Sequence, residues 1–426
     1  MLRAKLARWY HLKTLYLRSA LYLPLRTFLH GIIAAISGTF FSMVLAAIAQ
    51  ILIVRSLNVI LYGEYATITA ILSLVSIALG LGLDTWVLHY ISRYPDGSGA
   101  AVRDVLVLKS IGATVLLVVV MVIWSARISN ASVFMVGVFG VIFESFTTTG
   151  YSVLRAVKRN GAVALFQITS AAVQLVVLWF GNTQSILNVF FIFGIHTFTS
   201  FFTFVTLFWY IRKLFRIKFE RNIQIVHVIR ESWLMVSSDT LALIYGQIVV
   251  VILSASFGYE EVGIFRSALN IIVYSFIVPS LIFAVGLPAL SRIDCKEDFR
   301  RFAIFLFILA VFYGLCFILL SMMFGSVFID IIYGSFHPMV LYLIHSMSIV
   351  VLLKSINMIS AAILIVTNRI KYRVAVQFVV VVFSVLAGTA LIPTYGVDAA
   401  IFLTIAIECI LLFGYGFFAL KSLLDV

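Results

Sequence analysis

Three charged residues stand deep inside long apolar runs: Glu144, Lys354 and Glu408. Asp84, Asp239 and Arg266 lie nearer the ends of such runs, and Arg55 sits at the edge of one. Most belong to polar stripes spaced by three or four residues. Arg266 continues into Asn270 and Tyr274, and Lys354 into Asn357. Glu144 continues into Thr148 and Tyr151. Asp84 follows Ser73, Ser76 and Gly80, and Glu408 stands between Thr404 and Tyr415. These spacings place each set on one face of a helix. A charge at a bilayer centre costs about 2.5–3.5 kcal/mol on insertion scales, so it faces protein or water. Carboxylates so placed (Glu144, Asp239, Glu408 and Asp84) are candidates to take up a proton or Na⁺. Cations so placed could replace the hydration of an anion. A structural reading stands beside these, in which Lys354 and Glu408 neutralise one another and the Ser/Thr stripes are helix-packing surfaces. Lys354 lies about fifteen residues from its helix end, roughly 22 Å at 1.5 Å per residue, too deep to snorkel. Arg266, roughly 6 Å deep by the same measure, and Arg55 could reach the interface. His196, with Thr199 and Thr203 on an aromatic-rich helix, reads as a packed polar residue.

The elements that carry these residues must be membrane spans. The chain has 426 residues, 63% apolar and 11% charged, with mean hydropathy +1.16. A soluble domain is about half apolar and about a quarter charged. Segments near the roughly 20 residues a span needs run over about 28–54, 64–91, 105–125, 132–154, 162–181, 187–209, 231–254, 262–287, 302–324, 339–367, 374–392 and 397–419. The alternating ten-residue strands of an outer-membrane barrel are absent. The fold class is an all-α polytopic membrane protein of about twelve transmembrane helices. Pro279 and Pro288 should kink the eighth. The basic, aromatic start lacks the pattern of a cleavable leader, so the first span is expected to remain.

The net charge of +13 would suggest nucleic acid in a soluble protein. Here 26 of the 30 basic residues fall on one side of the predicted spans, as the cytoplasmic side should have it. Arg55 and Arg127 fall opposite, and Arg266 and Lys354 lie within helices. Both termini are then cytoplasmic and no nucleic-acid partner is implied. The chain divides into a basic, interfacial or loosely ordered segment (1–27), an N-lobe (28–209), a basic linker (210–230) and a C-lobe (231–426). The lobes look like repeats in one orientation. Gly63-Glu64-Tyr65 opens the second helix and Gly263-Ile264-Phe265 the eighth; these helices end at Ser92-Arg93 and Ser291-Arg292. Arg159 precedes Gln167 as Arg369 precedes Gln377. An axis along the membrane normal would relate the halves.

No G-x-x-x-x-G-K-[ST], H-E-x-x-H or G-x-S-x-G motif occurs, and Cys295, Cys316 and Cys409 have no metal-ligand spacing. The chain is therefore not expected to be an enzyme, to hold a cofactor or to consume ATP. Its short outer loops disfavour a membrane polysaccharide polymerase, which needs a polar loop to hold a sugar.

Leu57-Asn58-Val59-Ile60-Leu61-Tyr62-Gly63-Glu64-Tyr65, leading to Leu79-Gly80-Leu81-Gly82-Leu83-Asp84, resembles the entry to the second helix of bacterial polysaccharide flippases of the Wzx type. These belong to the multidrug/oligosaccharidyl-lipid/polysaccharide exporter superfamily. Phe257–Phe265 repeats the signature. Leu391-Ile392-Pro393-Thr394-Tyr395-Gly396-Val397-Asp398-Ala399-Ala400 resembles the element before the last helix, with Asp398 where glycine is usual. The resemblance implies two pseudo-symmetric six-helix lobes around a central cavity and alternating access in the bacterial inner membrane. The implied substrate is a polyprenyl-pyrophosphate oligosaccharide for surface polysaccharide such as O-antigen. A polysaccharide polymerase and a chain-length regulator are then expected partners beside membrane lipids. In that setting Arg266, Lys354 and Arg55, with Asn270, Tyr274 and Asn357, resemble cavity residues that would meet the substrate. A drug/cation antiporter of the same superfamily would want an acidic cavity, which Arg266 and Lys354 oppose. A peptidoglycan-precursor flippase usually has fourteen helices.

Overall fold

The computed structural model describes residues 40–425 except 81, 94–97, 126–130, 158, 215–224, 292, 294 and 335–337. The basic segment 1–27 and the centre of the 210–230 linker lie outside the described residues. Helices α1 (Phe41–Ser56), α2 (Val59–Val75), α3 (Leu83–Arg93), α4 (Ser98–Ser125), α5 (Ala131–Ala156), α6 (Asn160–Thr183) and α7 (Val189–Leu214) form the first half. The second comprises α8 (Ile225–Phe257), α9 (Tyr259–Ser275), α10 (Ile277–Leu290), α11 (Lys296–Tyr333), α12 (Pro338–Val366) and α13 (Ile370–Asp425). Among the described residues nine helical stretches are long and apolar enough to cross a membrane. The longest is bent back at Gly396, whose φ of 58° and ψ of −130° are open to glycine, so it supplies two crossings. With the shorter apolar α1 and the 28-residue α4 the count reaches twelve. Large apolar side chains such as Phe413 (77% exposed) and Met323 (71%) lie on the outside, as lipid-facing residues do. Asp398 is exposed at the α13 reversal, while Ala399 and Ala400 behind it are buried, so the missing glycine leaves the packing intact.

Two spans are broken at matching places, the second, expected to be continuous, and the eighth, expected to kink at its prolines. The second span passes from α2 through a 3₁₀ turn at Ser76–Leu79 into α3. Gly80 and Gly82 carry it through φ of 72° and 85°, angles that cost a side-chain-bearing residue. A Cβ on Gly82 would strike the backbone of Val236, so this glycine also admits α8. The eighth span breaks at Phe276, upstream of Pro279 rather than at it. Proline has no N–H for the carbonyl four residues earlier. That carbonyl belongs to Ser275, and the Tyr313 hydroxyl donates to it at 2.6 Å. Pro288 is accommodated within α10, which runs on to Leu290.

The third span begins earlier than its apolar run suggests. Arg103 and Lys109, counted among the cations of the basic side, lie within α4 with Asp104, and Arg103, Asp104 and Lys109 are 3%, 4% and 1% exposed. Opposite charges explain the burial: Arg103 pairs with Asp104 at 2.7 Å, and Lys109 with Asp84 of α3 at 2.9 Å.

The halves meet along α2 and α9. Gly63 lies against the carbonyl of Tyr259, and Gly263 against the carbonyl of Val59; a Cβ on either glycine would collide. Ala66 and Ala70 of α2 join Val262, Phe265 and Ile272 of α9 in one buried cluster.

Candidate functional site

Polar side chains gather at this seam. Tyr62 and Tyr65 project from α2, with ring centroids 6.1 Å apart, toward Gln50 of α1. The Asn270 amide of α9 donates to the Tyr62 hydroxyl across the seam. One turn from Asn270, Arg266 is half-buried and within electrostatic reach of the Tyr62, Tyr65 and Tyr274 hydroxyls. No carboxylate forms an ion pair with Arg266 among the described residues. The face Arg266–Asn270–Tyr274 read from spacing is therefore a real surface, and it adjoins the other lobe.

Arg55 does not reach this cluster's interior. It is exposed, and its guanidinium donates to the carbonyls of Ile331 and Ile332 (3.2 Å to the latter) at the end of α11. The last carbonyls of a helix have no partner within it, so Arg55 caps α11 from the opposite half. Within the second half, the Tyr333 hydroxyl ties the same end of α11 to α9, donating to the Ser267 carbonyl at 2.5 Å.

Lys354 is paired. Its ammonium lies 2.9 Å from the Glu408 carboxylate, whose second oxygen accepts from Asn357 at 2.7 Å. Asn357 also donates to the Glu408 backbone carbonyl at 3.0 Å. Helices α12 and α13 are thus pinned by a three-residue knot within the C-lobe. Glu408 is nearly closed off, while Lys354 keeps 25% exposure beside the Tyr245 and Phe276 rings. Of the two roles the sequence left open for Lys354, this geometry supplies the ion pair.

The N-lobe is hollow. A cavity of about 520 Å³ lies among α1, α3, α5, α6 and α7. Glu144, Thr148, Tyr151 and Arg155 descend one wall; His196, Thr199 and Thr203 face it, and Gln167 and Gln174 come from α6. The Ser/Thr stripe of α7 serves both roles, since Thr199 and Thr203 border the cavity yet are nearly buried where α7 packs on α5. The Glu144 carboxylate stands 3.4 Å from His196, and both are open to the cavity. His196 is therefore the partner of an acid, a role its lone position did not signal. A neighbouring recess of about 230 Å³ shares Asp84, Glu144 and Thr148 and reaches Lys109, Ser73 and Ser76. Asp84 is fully engaged there: Lys109 holds both oxygens, and Thr148 and Thr149 donate at 3.0 and 2.6 Å. Asp239 lies in the field of Arg373 and of Asp84, near the point where α3 meets α8. Among the described residues no cluster of His, Cys, Asp or Glu could hold a metal ion.

Solved structures share this architecture. An inward-facing multidrug-resistance MATE-family transporter of the MOP superfamily matches with a TM-score of 0.70 at 15% identity, over 89% of this chain and 94% of its own. The same transporter type in an outward-facing conformation matches with a TM-score of 0.68 at 13% identity, over 94% and 96%. A MOP superfamily transporter from Pyrococcus furiosus, described as having a binding pocket of reverse polarity, matches with a TM-score of 0.69 at 13% identity, over 94% and 96%. At such identities the likeness establishes the fold. No curated protein matches significantly. The family model described as polysaccharide biosynthesis protein matches residues 28–294, well over half of the chain. A two-lobed helical membrane transporter fold, with polar side chains gathered inside it, is thus joined to a sequence signature of glycan assembly, and the chain belongs to the polysaccharide biosynthesis protein family.

Proposed function

We propose that this chain is a flippase that moves polyprenyl-pyrophosphate-linked oligosaccharides from the cytoplasmic to the outer leaflet of a bacterial inner membrane. Movement is by alternating access, for surface polysaccharide such as O-antigen. The observation that carries the reading is Arg266: a half-buried cation one turn from the Asn270 that bonds Tyr62 of the other lobe, within electrostatic reach of three tyrosines, and without a carboxylate partner among the described residues. A pyrophosphate crossing a membrane must shed water, and a fixed cation with hydroxyl donors replaces part of that shell. A drug/cation antiporter would be poorly served by such a group. Asn270 and Tyr274 position the anion with Arg266. Lys354, neutralised by Glu408, and Asn357 shape the C-lobe wall, and Arg55 holds the seam at its outer end. Glu144 with His196 is the best-placed coupling site for a proton or Na⁺, because both are open to a cavity. Asp239 is a second candidate, whereas Asp84 and Glu408 are already held by lysines. A polymerase and its chain-length regulator would receive the product.

The test is flipping of a fluorescent polyprenyl-pyrophosphate oligosaccharide in proteoliposomes without ATP. Arg266→Ala should slow it at least tenfold, and Arg266→Lys should retain a measurable part. Wild-type rates in Arg266→Ala, or flipping that requires ATP, would remove the proposal.

A further inference from the structure

The N-lobe cavity has a donor–acceptor balance that points to its occupant. Serine and threonine in a helix can spend their one proton on a carbonyl a turn earlier, leaving lone pairs outward. Thr147, Thr199 and Thr203 spend their protons in this way, at 2.8, 2.9 and 2.7 Å, though each is nearly buried at the wall. Thr148 divides its proton between Ser145 and Asp84. The Gln167 Oε1 atom is buried at the cavity wall with no donor among the described residues. The same walls carry donors as well: the side-chain amides of Gln167 and Gln174, the Tyr151 hydroxyl and the Arg155 guanidinium.

Charge narrows the choice. Asp84 is matched by Lys109, Glu144 faces His196, and Arg155 stands exposed at the end of α5 that bears the basic loops. The carboxylates are each answered, so an organic cation finds no surplus negative charge to hold it. A neutral ligand with many hydroxyls, each both donor and acceptor, fits better. Tyr151, one turn from Arg155, places an aromatic ring in the same wall.

We infer that this cavity is a glycan-binding vestibule: it receives the sugar part of the substrate while Arg155 meets the phosphate at the cavity mouth. The inference rests on the flippase reading above and assigns the sugar a place apart from Arg266. Loading would then precede transfer of the anion to the seam. The volume of about 520 Å³ lies within the usual range for ligand pockets.

The experiment measures binding to the purified full chain in nanodiscs with two kinds of probe. One is geranylgeranyl pyrophosphate; the others are the same lipid bearing a single glucose, galactose or N-acetylglucosamine. At least one sugar-bearing probe should bind wild type about tenfold more tightly than the bare lipid. In Gln167→Leu/Gln174→Leu that increment should vanish while bare-lipid affinity and thermal stability stay unchanged. Thr203→Val provides an independent variant on α7 and should reduce the increment alone. Equal affinity for bare and sugar-bearing lipids in wild type overturns the vestibule and leaves the flippase reading standing. So does a loss in the variants that is the same for all probes. Failure of every probe to bind overturns both.

Discussion

Lys354 and Glu408, 54 positions apart, meet at 2.9 Å, with Asn357 completing the carboxylate's coordination. Removing one partner of a buried pair leaves a charge that the membrane interior tolerates poorly, at a cost on the order of 3 kcal/mol. Lys354→Ala should therefore lower the melting temperature and the amount of protein in the membrane, and Glu408→Leu should do the same. Lys354→Arg should keep most transport. The swap Lys354→Glu with Glu408→Lys should recover both stability and transport. A swapped protein that is stable yet silent would show instead that Lys354 touches the substrate.

Gly63 predicts how the lobes are held. A side chain there has no room while the Tyr259 carbonyl stays in place. Gly63→Ala should force α2 and α9 apart and raise the outward-open population. The readout is labelling of an Ala66→Cys probe by a membrane-impermeant maleimide, with Cys295, Cys316 and Cys409 replaced. Ala66 is 2% exposed, so labelling should be slow in the parent and about tenfold faster with Gly63→Ala. Gly263→Ala should act alike. Unchanged labelling in both would show that the seam does not control access.

The bond from Tyr313 to Ser275 should matter only because of Pro279. Tyr313→Phe should cost about 1 kcal/mol, the usual worth of one hydrogen bond. In a Pro279→Ala background the restored amide can serve Ser275 itself, and the same substitution should cost almost nothing. A double-mutant cycle in thermal or denaturant unfolding measures the coupling. Equal costs in both backgrounds would refute the compensation.

Reporter fusions test the orientation. Fusions after residues 97, 160, 220, 296 and 371 should read cytoplasmic, and those near 58, 129, 184, 258, 335 and 395 external. Two adjacent contradictions would break the twelve-span arrangement.

The span count and the paired halves were legible because both follow from local quantities, hydropathy and charge along the chain. The breaks were not. Gly80 and Gly82 read equally well as close-packing residues, and only the backbone angles reveal a chain that stops being helical. Pro279 signalled a kink but not its place, which depends on a hydroxyl 34 residues downstream. Burial of Lys109 escaped because a lysine beside an apolar run looks like a loop cation. Its partner Asp84, an acid near a helix end for which the sequence named no counter-charge, was the one available hint. The Glu144–His196 contact joins two stripes that were each visible singly, 52 residues apart. Spacing reports which residues share a face, whereas helix packing decides what that face meets.

The seam at Gly63 and Gly263 has the form of a contact between identical molecules: each half offers the same patch and receives the same patch. Joining two such halves in one chain turns an encounter between molecules into an event within one, at an effective concentration of about a millimolar or more for short linkers. The tether then supplies the association that the patch would otherwise have to supply. The glycine-on-carbonyl patch need not then hold the halves together unaided, and it can be weak enough to part while the halves are never lost to one another.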